Sequence, residues 1–207
     1  MRKSHNLPVL CVLGNWSSGT TAVTGYIERL GAFTCPPHVR TNDPRTPDSY
    51  ESLEFRNQCA NTVDEGTFSD LGDRKAFKTW LQGWIRKKSA EAALSGCSHI
   101  AIKHPLSAFL VSEIHEACNP KWIVVTRPFD KIEGTRRRRK WHPYYGAQGA
   151  NKVYSSIFSS LIKIEASYLT ISFTDFLSGS IVRQQLIAYS GINPNKEKKA
   201  HAEGWVR

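Results

Sequence analysis

The chain has 207 residues, a formal net charge of +10, and 40% apolar residues. That length holds one α/β domain with a real core and little more, which makes residues 1–207 a single expected unit, and the composition excludes a disordered chain. No apolar run nears the roughly 20 residues that span a bilayer, while the positive excess suits an anionic partner: nucleic acid, a membrane surface or a phosphorylated small molecule.

The start, Met1-Arg2-Lys3-Ser4-His5-Asn6, is basic and leads into an apolar run, Leu7 to Leu13. No small-x-small cleavage site follows it. The run is therefore expected as a first core strand, Pro8 to Leu13, in an unexported, cytoplasmic protein. Three further apolar runs read as buried parallel strands: His99 to Ile102, Trp122 to Thr126 and Tyr168 to Phe173. Continuous hydrophobicity is the mark of strands covered on both faces. Helical patterns separate them. Thr20 to Leu30 follows the first strand, and Phe77, Trp80, Leu81, Trp84 and Ile85 recur at helical spacing behind Asp73, a candidate N-cap. Leu106 to Ala117, Lys152 to Ala166 and Ile181 to Tyr189 complete the set. Strands alternating with helices predict an α/β fold: a parallel sheet between two helical layers. The stretch Cys35 to Asp48, with Pro36, Pro37, Pro44 and Pro47, reads as a loop, as does His142 to Gly149. Five scattered cysteines (Cys11, Cys35, Cys59, Cys97, Cys118) include no C-x-x-C, so reduced thiols are expected rather than a metal site or disulfides.

The strongest local signal is Gly14-Asn15-Trp16-Ser17-Ser18-Gly19-Thr20-Thr21. It follows a strand and opens a helix, a context that turns backbone amides toward an anion. The spacing is that of the nucleotide-triphosphate P-loop, but Thr20 stands where that motif carries Lys. No Walker B Asp ends the strand Trp122 to Thr126. ATP hydrolysis is a poor fit on both counts.

Here the chain resembles the sulfotransferase superfamily, whose fold is related to the P-loop nucleotide kinases. The family's donor loop, G-x-x-[RK]-S-G-T-T, matches Gly14 to Thr21 except at one position. Lys103-His104-Pro105 is similar to its K-x-P element, and Asn119-Pro120-Lys121 through Arg127 to its F-P-x-A-[RK]-hydrophobic-R element. The hydroxyl residue the family expects eight positions after that Arg is Thr135. Phe173-Thr174-Asp175-Phe176-Leu177 resembles its Y-E-D-L, and Tyr50-Glu51-Ser52-Leu53-Glu54-Phe55 a segment of bacterial members. The resemblance spans Val9 to Leu177 in family order and is closest in style to bacterial and tyrosylprotein-type members.

The resemblance implies a 3′-phosphoadenosine 5′-phosphosulfate (PAPS) donor, adenosine 3′,5′-bisphosphate as product, no metal, and a hydroxyl or amine acceptor on a small molecule, glycan or peptide. The donor's 5′ end would sit on Ser17, Ser18, Gly19, Thr20 and Thr21, and its 3′-phosphate on Arg127 and Thr135. One or two cations of Arg136-Arg137-Arg138-Arg139-Lys140, Arg139 in particular, would extend that field. The family's catalytic cation falls on the neutral Ser17, so Lys103 is expected to supply the charge. The general base is expected at Glu51, with Glu54, His38 and His104 as alternatives. Competing readings are a P-loop nucleotide kinase or NTPase, a nucleic-acid-binding module built on the Arg block and Trp141, Tyr144 and Tyr145, and a catalytically impaired nucleotide-binding relative.

Overall fold

The computed structural model describes residues 6–42 and 46–206; the basic segment 1–5 and Pro44 lie outside the described residues. The elements in order are β1 (Val9–Leu13), α1 (Thr20–Leu30), β2 (Ala32–Phe33), β3 (His38–Arg40), β4 (Asp48–Ser52), α2 (Leu53–Thr62), α3 (Arg74–Leu94) and β5 (His99–Lys103). After a 3-10 turn, Pro105–Phe109, come α4 (Val111–Cys118), β6 (Lys121–Thr126) and α5 (Phe129–Arg139). A second 3-10 turn, Pro143–Tyr145, leads to α6 (Ala147–Lys163), β7 (Tyr168–Ser172), α7 (Phe173–Ser178), α8 (Ser180–Ser190) and α9 (Lys196–Trp205).

The main sheet has five parallel strands in the order β2-β5-β1-β6-β7. Successive residues of one strand feed two different cores, because side chains alternate across the pleat. Val9, Cys11 and Leu13 of β1 pack with Trp84, Ile85, Ile114 and Ile157 on one face. Leu10 and Val12 pack with Val23, Ile27, Leu186 and Ala202 on the other. This double covering is why β1, the centre of β5 and most of β6 are unbroken apolar runs. β7 departs from that expectation. It is an edge strand, and only Ile171 of its residues is fully buried.

The proline-rich stretch also differs from the expected loop. Within it His38–Arg40 form β3, which pairs antiparallel with β4 in a sheet separate from the main one, while its other described residues before β4 form no helix or strand. The expected helix Leu106 to Ala117 is broken at Leu110 between the first 3-10 turn and α4. In place of the second loop, residues 143–145 form a 3-10 turn and α6 begins at Ala147. The expected helix starts at Thr20 and at Asp73 are both present.

At the far end of the chain, α9 lies on α1. Trp205 Nε1 donates to Ala22 O at 2.9 Å, and the Arg29 guanidinium sits 3.9 Å from the Trp205 ring centroid. A Cβ at Gly25 would meet the same indole at 2.9 Å, so the helices touch through a residue with no side chain. Among the described residues no helix is long and apolar enough to cross a membrane.

The Asp73 cap accepts from the amides of Lys75 at 2.7 Å and Ala76 at 3.1 Å on the exposed start of α3. Asp73→Ala should therefore cost about 1 kcal/mol of stability, read as a lower urea midpoint with an unchanged slope.

Candidate functional site

The turn after β1 lies at the carboxyl edge of the parallel sheet, where ligands bind in open α/β folds. Two glycines permit its close approach. A Cβ at Gly14 would fall 2.8 Å from Val125 O, on the neighbouring strand. Gly19 has φ 100°, and a Cβ there would overlap the Phe173 ring. Gly19 is also the N-cap of α1 and carries no side-chain cap. The amides of Gly19, Thr20 and Thr21 consequently have no protein acceptor, among the described residues. Ser17 adopts the left-handed conformation at φ 64°, and its buried Oγ has no hydrogen-bond partner. These are open donors at a helix start, the arrangement an anion needs.

Ser18 differs in its backbone, whose amide donates to Asn15 O at 3.1 Å, but its buried hydroxyl, like that of Ser17, has no hydrogen-bond partner among the described residues; it lies against the Gly14 position and beside the Tyr154 hydroxyl. Thr20 is also buried and packs its methyl at Gly14.

One flank of the turn is cationic. Arg127 Nη1, leaving β6, donates to Ser17 O at 2.9 Å and to Thr135 Oγ1 at 3.3 Å. Pro128 directly precedes α5, and its carbonyl accepts from Lys131 and Ile132, which sets the helix that carries Thr135. Among the described residues no carboxylate lies within 4.0 Å of Arg127; Asp130 pairs with Lys131 instead. Burial, with the Arg138 charge second, pushes the Arg127 guanidinium below its ordinary range. A partly buried cation with no carboxylate in contact and a second cation nearby has the electrostatics to receive an anion.

The Arg block divides by direction. Arg136 and Arg137 both pair with Glu133, at 2.8 and 3.1 Å. Arg139 places its guanidinium 4.7 Å from the Trp141 ring centroid. Arg138 is the member whose charge acts on Arg127. Its signal in the sequence is its spacing, three residues after Thr135 on the helix, which puts both on one face.

The opposite flank holds Lys103, Glu51 and His104. Lys103 is buried, and its Nζ donates to Thr21 Oγ1 at 3.0 Å, Ser49 O at 2.8 Å and Glu51 Oε1 at 2.8 Å. An ammonium has three protons, and these contacts use all of them. Glu51 Oε2 lies 3.8 Å from His104 Nε2. Burial works to raise the Glu51 pKa, but the Lys103 charge, with His104 and the Lys103 hydrogen bond, overrides it and holds the carboxyl below its ordinary value. His104 Nδ1 accepts from Leu106 N at 3.3 Å, which leaves its proton on Nε2, facing Glu51. Burial drives the His104 pKa down to about 4.

The other base candidates are committed elsewhere. His38 places Nδ1 2.9 Å from Asp48 Oδ2 and Nε2 3.0 Å from Thr34 O, so neither ring nitrogen faces the turn. Glu54 accepts from Trp84 Nε1 at 2.7 Å and pairs with Lys88 at 3.1 Å. It lines a separate open groove of about 890 Å³ along α3, beside Trp80 and Lys87. Among the described residues no group of three metal-ligating side chains is gathered.

Two outcomes follow from the buried pair and its histidine. Lys103→Met leaves Glu51 buried without its cation and should cost about 3–5 kcal/mol, largely recovered in Lys103→Met/Glu51→Gln; chemical denaturation of the four proteins measures it. His104 has a lowered pKa in the fold, so the unfolded chain binds more protons there below pH ~6.5. Its stabilising contribution is complete above that pH and is lost as the pH falls toward about 4. His104→Asn keeps an acceptor for Leu106 N, and should flatten the stability–pH curve across that window.

No protein-family model matches the chain, and no curated protein matches it in sequence. Solved structures do match. A sulfotransferase from Mycobacterium avium aligns with a TM-score of 0.56 at 11% identity, over 98% of this chain and 68% of that one. A sulfotransferase from Mycobacterium tuberculosis H37Rv aligns with a TM-score of 0.56 at 11% identity, over 97% and 72%. A sugar kinase from Janibacter sp. HTCC2649 aligns with a TM-score of 0.52 at 15% identity, over 91% and 96%. The architecture of this chain, a helix-flanked parallel sheet with a glycine-bounded turn after its first strand, is the fold of these sulfotransferases, shared in outline with the sugar kinase.

Proposed function

We propose that this protein transfers a sulfuryl group from PAPS to a hydroxyl or amine acceptor. The observation that carries the reading is the hydrogen bond from Arg127 to Ser17 O, which holds two groups of candidate anion donors next to each other. One group is the row of open amides from Gly19 to Thr21, with the unpartnered Ser17 Oγ. The other is Arg127 with Thr135, inside the field of Arg138. A donor with phosphate at both ends of its ribose fits that spacing of charge: its 5′ end on the amides, its 3′-phosphate on the guanidinium.

When bound, the donor would supply the sulfuryl group and a phosphate leaving group. The chain's own residues would hold charge and move one proton. Ser17 offers a hydroxyl where the resembled family has a cation, so Lys103 is the positive charge at the helix start. Its protons are all engaged, which couples it to Glu51. As Glu51 Oε2 takes the acceptor's proton, the carboxyl becomes neutral and its grip on the ammonium weakens. An N–H of Lys103 is then released toward charge growing at the turn. Base and charge stabiliser act as one unit.

The kinase reading draws on the sugar-kinase likeness. Against it, Thr20 occupies the P-loop lysine position, and Lys103 Nζ already occupies the Thr21 hydroxyl that would face a magnesium ion. Thermal-shift titration separates the two. Adenosine 3′,5′-bisphosphate at about 100 times its Kd should raise the melting temperature by roughly 5–10 °C. ATP with Mg²⁺ should not, and Arg127→Ala should abolish the bisphosphate shift. A rise with Mg-ATP alone would reverse the assignment.

A further inference from the structure

α3 turns a patterned face to solvent. Its inward side carries Phe77, Leu81, Trp84, Ile85 and Ala92 into the core. Along the other side Asp73, Ala76, Trp80, Gly83, Lys87, Ala90 and Leu94 follow one another at alternating steps of three and four. That spacing sets them on one line down the helix, the seam of a left-handed helix pair. Each of these residues keeps surface exposed. Leu94 is 91% exposed, and Leu71, just before the helix, is 61% exposed. One bare leucine needs no account, but these two stand at opposite ends of a seam with a half-buried indole, Trp80, between them.

The groove of about 890 Å³ runs along this seam, with Ala76, Trp80, Gly83 and Lys87 among its walls. Gly83 keeps it open. A Cβ there would have nothing within 4 Å, and its φ is not in the left-handed region, so nothing within this chain requires glycine. Glycine inside a 21-residue helix weakens that helix. Next to the gap, Trp80 stacks on Trp84 at 5.4 Å between ring centroids. The indole is thereby held as a ridge at the lip of the gap.

A ridge and a gap three residues apart complement a second copy of themselves. About a two-fold axis between Leu81 and Gln82, an antiparallel pair sets Trp80 of one copy over Gly83 of the other, and the reverse. The same register sets Lys87 over Ala76 and Asp73 over Ala90, a larger side chain against a smaller one at each layer. Leu71 and the other copy's Leu94 fall at the same end of the pair. Charge agrees with shape. Lys87 of one copy comes within a helical turn of Asp73 of the other. Lys87 is 61% exposed, and its contacts in its own chain are long, 3.5 Å to Glu54 Oε1 and 4.0 Å to Glu91 Oε1. Asp73 caps α3 through Oδ1, so Oδ2 has no partner among the described residues. A parallel pair would instead face Asp73 with Asp73 and Lys87 with Lys87, and like charges oppose association.

We propose that this seam is a self-association surface, on which a second copy of the chain lays its own α3 antiparallel, each Trp80 filling the gap over the other's Gly83. The proposal stands independently of the sulfuryl-transfer reading. At 1.5 Å per residue α3 is about 31 Å long, and a strip one helix wide covers roughly 350 Å² per copy. Standard stable complexes use ~800 Å² per partner, so this dimer is a weak one, with a Kd on the order of 10–100 μM.

Sedimentation velocity on the full chain, from about 1 to 500 μM, is the test. Wild type should pass from monomer to dimer across that range, and added salt should weaken the dimer. Gly83→Gln fills a gap that this chain leaves open. It should raise the melting temperature, because it improves the helix, and yet raise the dimer Kd about tenfold or more. Lys87→Glu should raise it about tenfold, and Asp73→Lys added to Lys87→Glu should recover most of that loss. Trp80→Gln is the second variant should Gly83→Gln fail to fold. A chain still monomeric at about 500 μM overturns the proposal. A dimer indifferent to Gly83→Gln and Trp80→Gln overturns it too, since that dimer uses another face. A charge exchange that recovers nothing overturns the antiparallel register. A monomer that instead binds phosphatidylserine vesicles, and loses them in Trp80→Gln, would give the seam to an anionic membrane.

Discussion

A single ammonium group holds the parts of this site in register. Lys103 leaves β5 at the edge of the sheet, and its protons go to the start of α1, the backbone of β4 and the carboxylate before α2. A buried charge is tolerated only with such partners, because desolvation penalises it heavily. The same demand fixes geometry. The hairpin of β3 and β4 pairs with no strand of the main sheet, and Lys103 is a point at which it is pinned to the sheet's edge. Moving Glu51 would expose the lysine's charge to an apolar interior, so the acid has little freedom.

The turn between β1 and α1 divides its surroundings by chemistry. Ser17 directs its carbonyl to Arg127, and the preceding Trp16 directs its ring to His104 and Tyr145. One flank offers Arg127, which among the described residues has no carboxylate within 4.0 Å, and the other offers rings and a paired acid. Phe173 closes the turn from a third side, lying where any side chain at position 19 would have to go. The sulfuryl transfer proposed above would use this kind of partition, with one region for the donor's phosphates and another for the acceptor.

Much of this was legible in residue order. β1, β5 and β6 announce themselves because both faces of each are covered, and α1 and α3 because their start signals, Gly19-Thr20-Thr21 and Asp73, act locally. Elements whose existence depends on distant partners were not legible. β2 has two residues and exists by pairing with β5. β3 has three and hides among prolines. β7 is apolar enough to look central, yet it lies at an edge because nothing in its own sequence states its neighbour count. Within the site, Lys103 and Glu51 stand out separately, but only the fold reveals that one saturates the other. Arg138 was readable only in relation to Thr135, and the ring contacts among Trp16, Phe68, Phe109 and Tyr145 only once the fold brought them side by side.

The packing of α9 on α1 carries a consequence for assembly. The indole of Trp205 bonds to Ala22 across 183 positions, and contacts of such span are slow to form because long loops must close first. By that reasoning α1 would be covered by α9 late, after the strands beside it have paired, and the anion binding proposed for its first turn would mature with that packing event rather than with the first collapse.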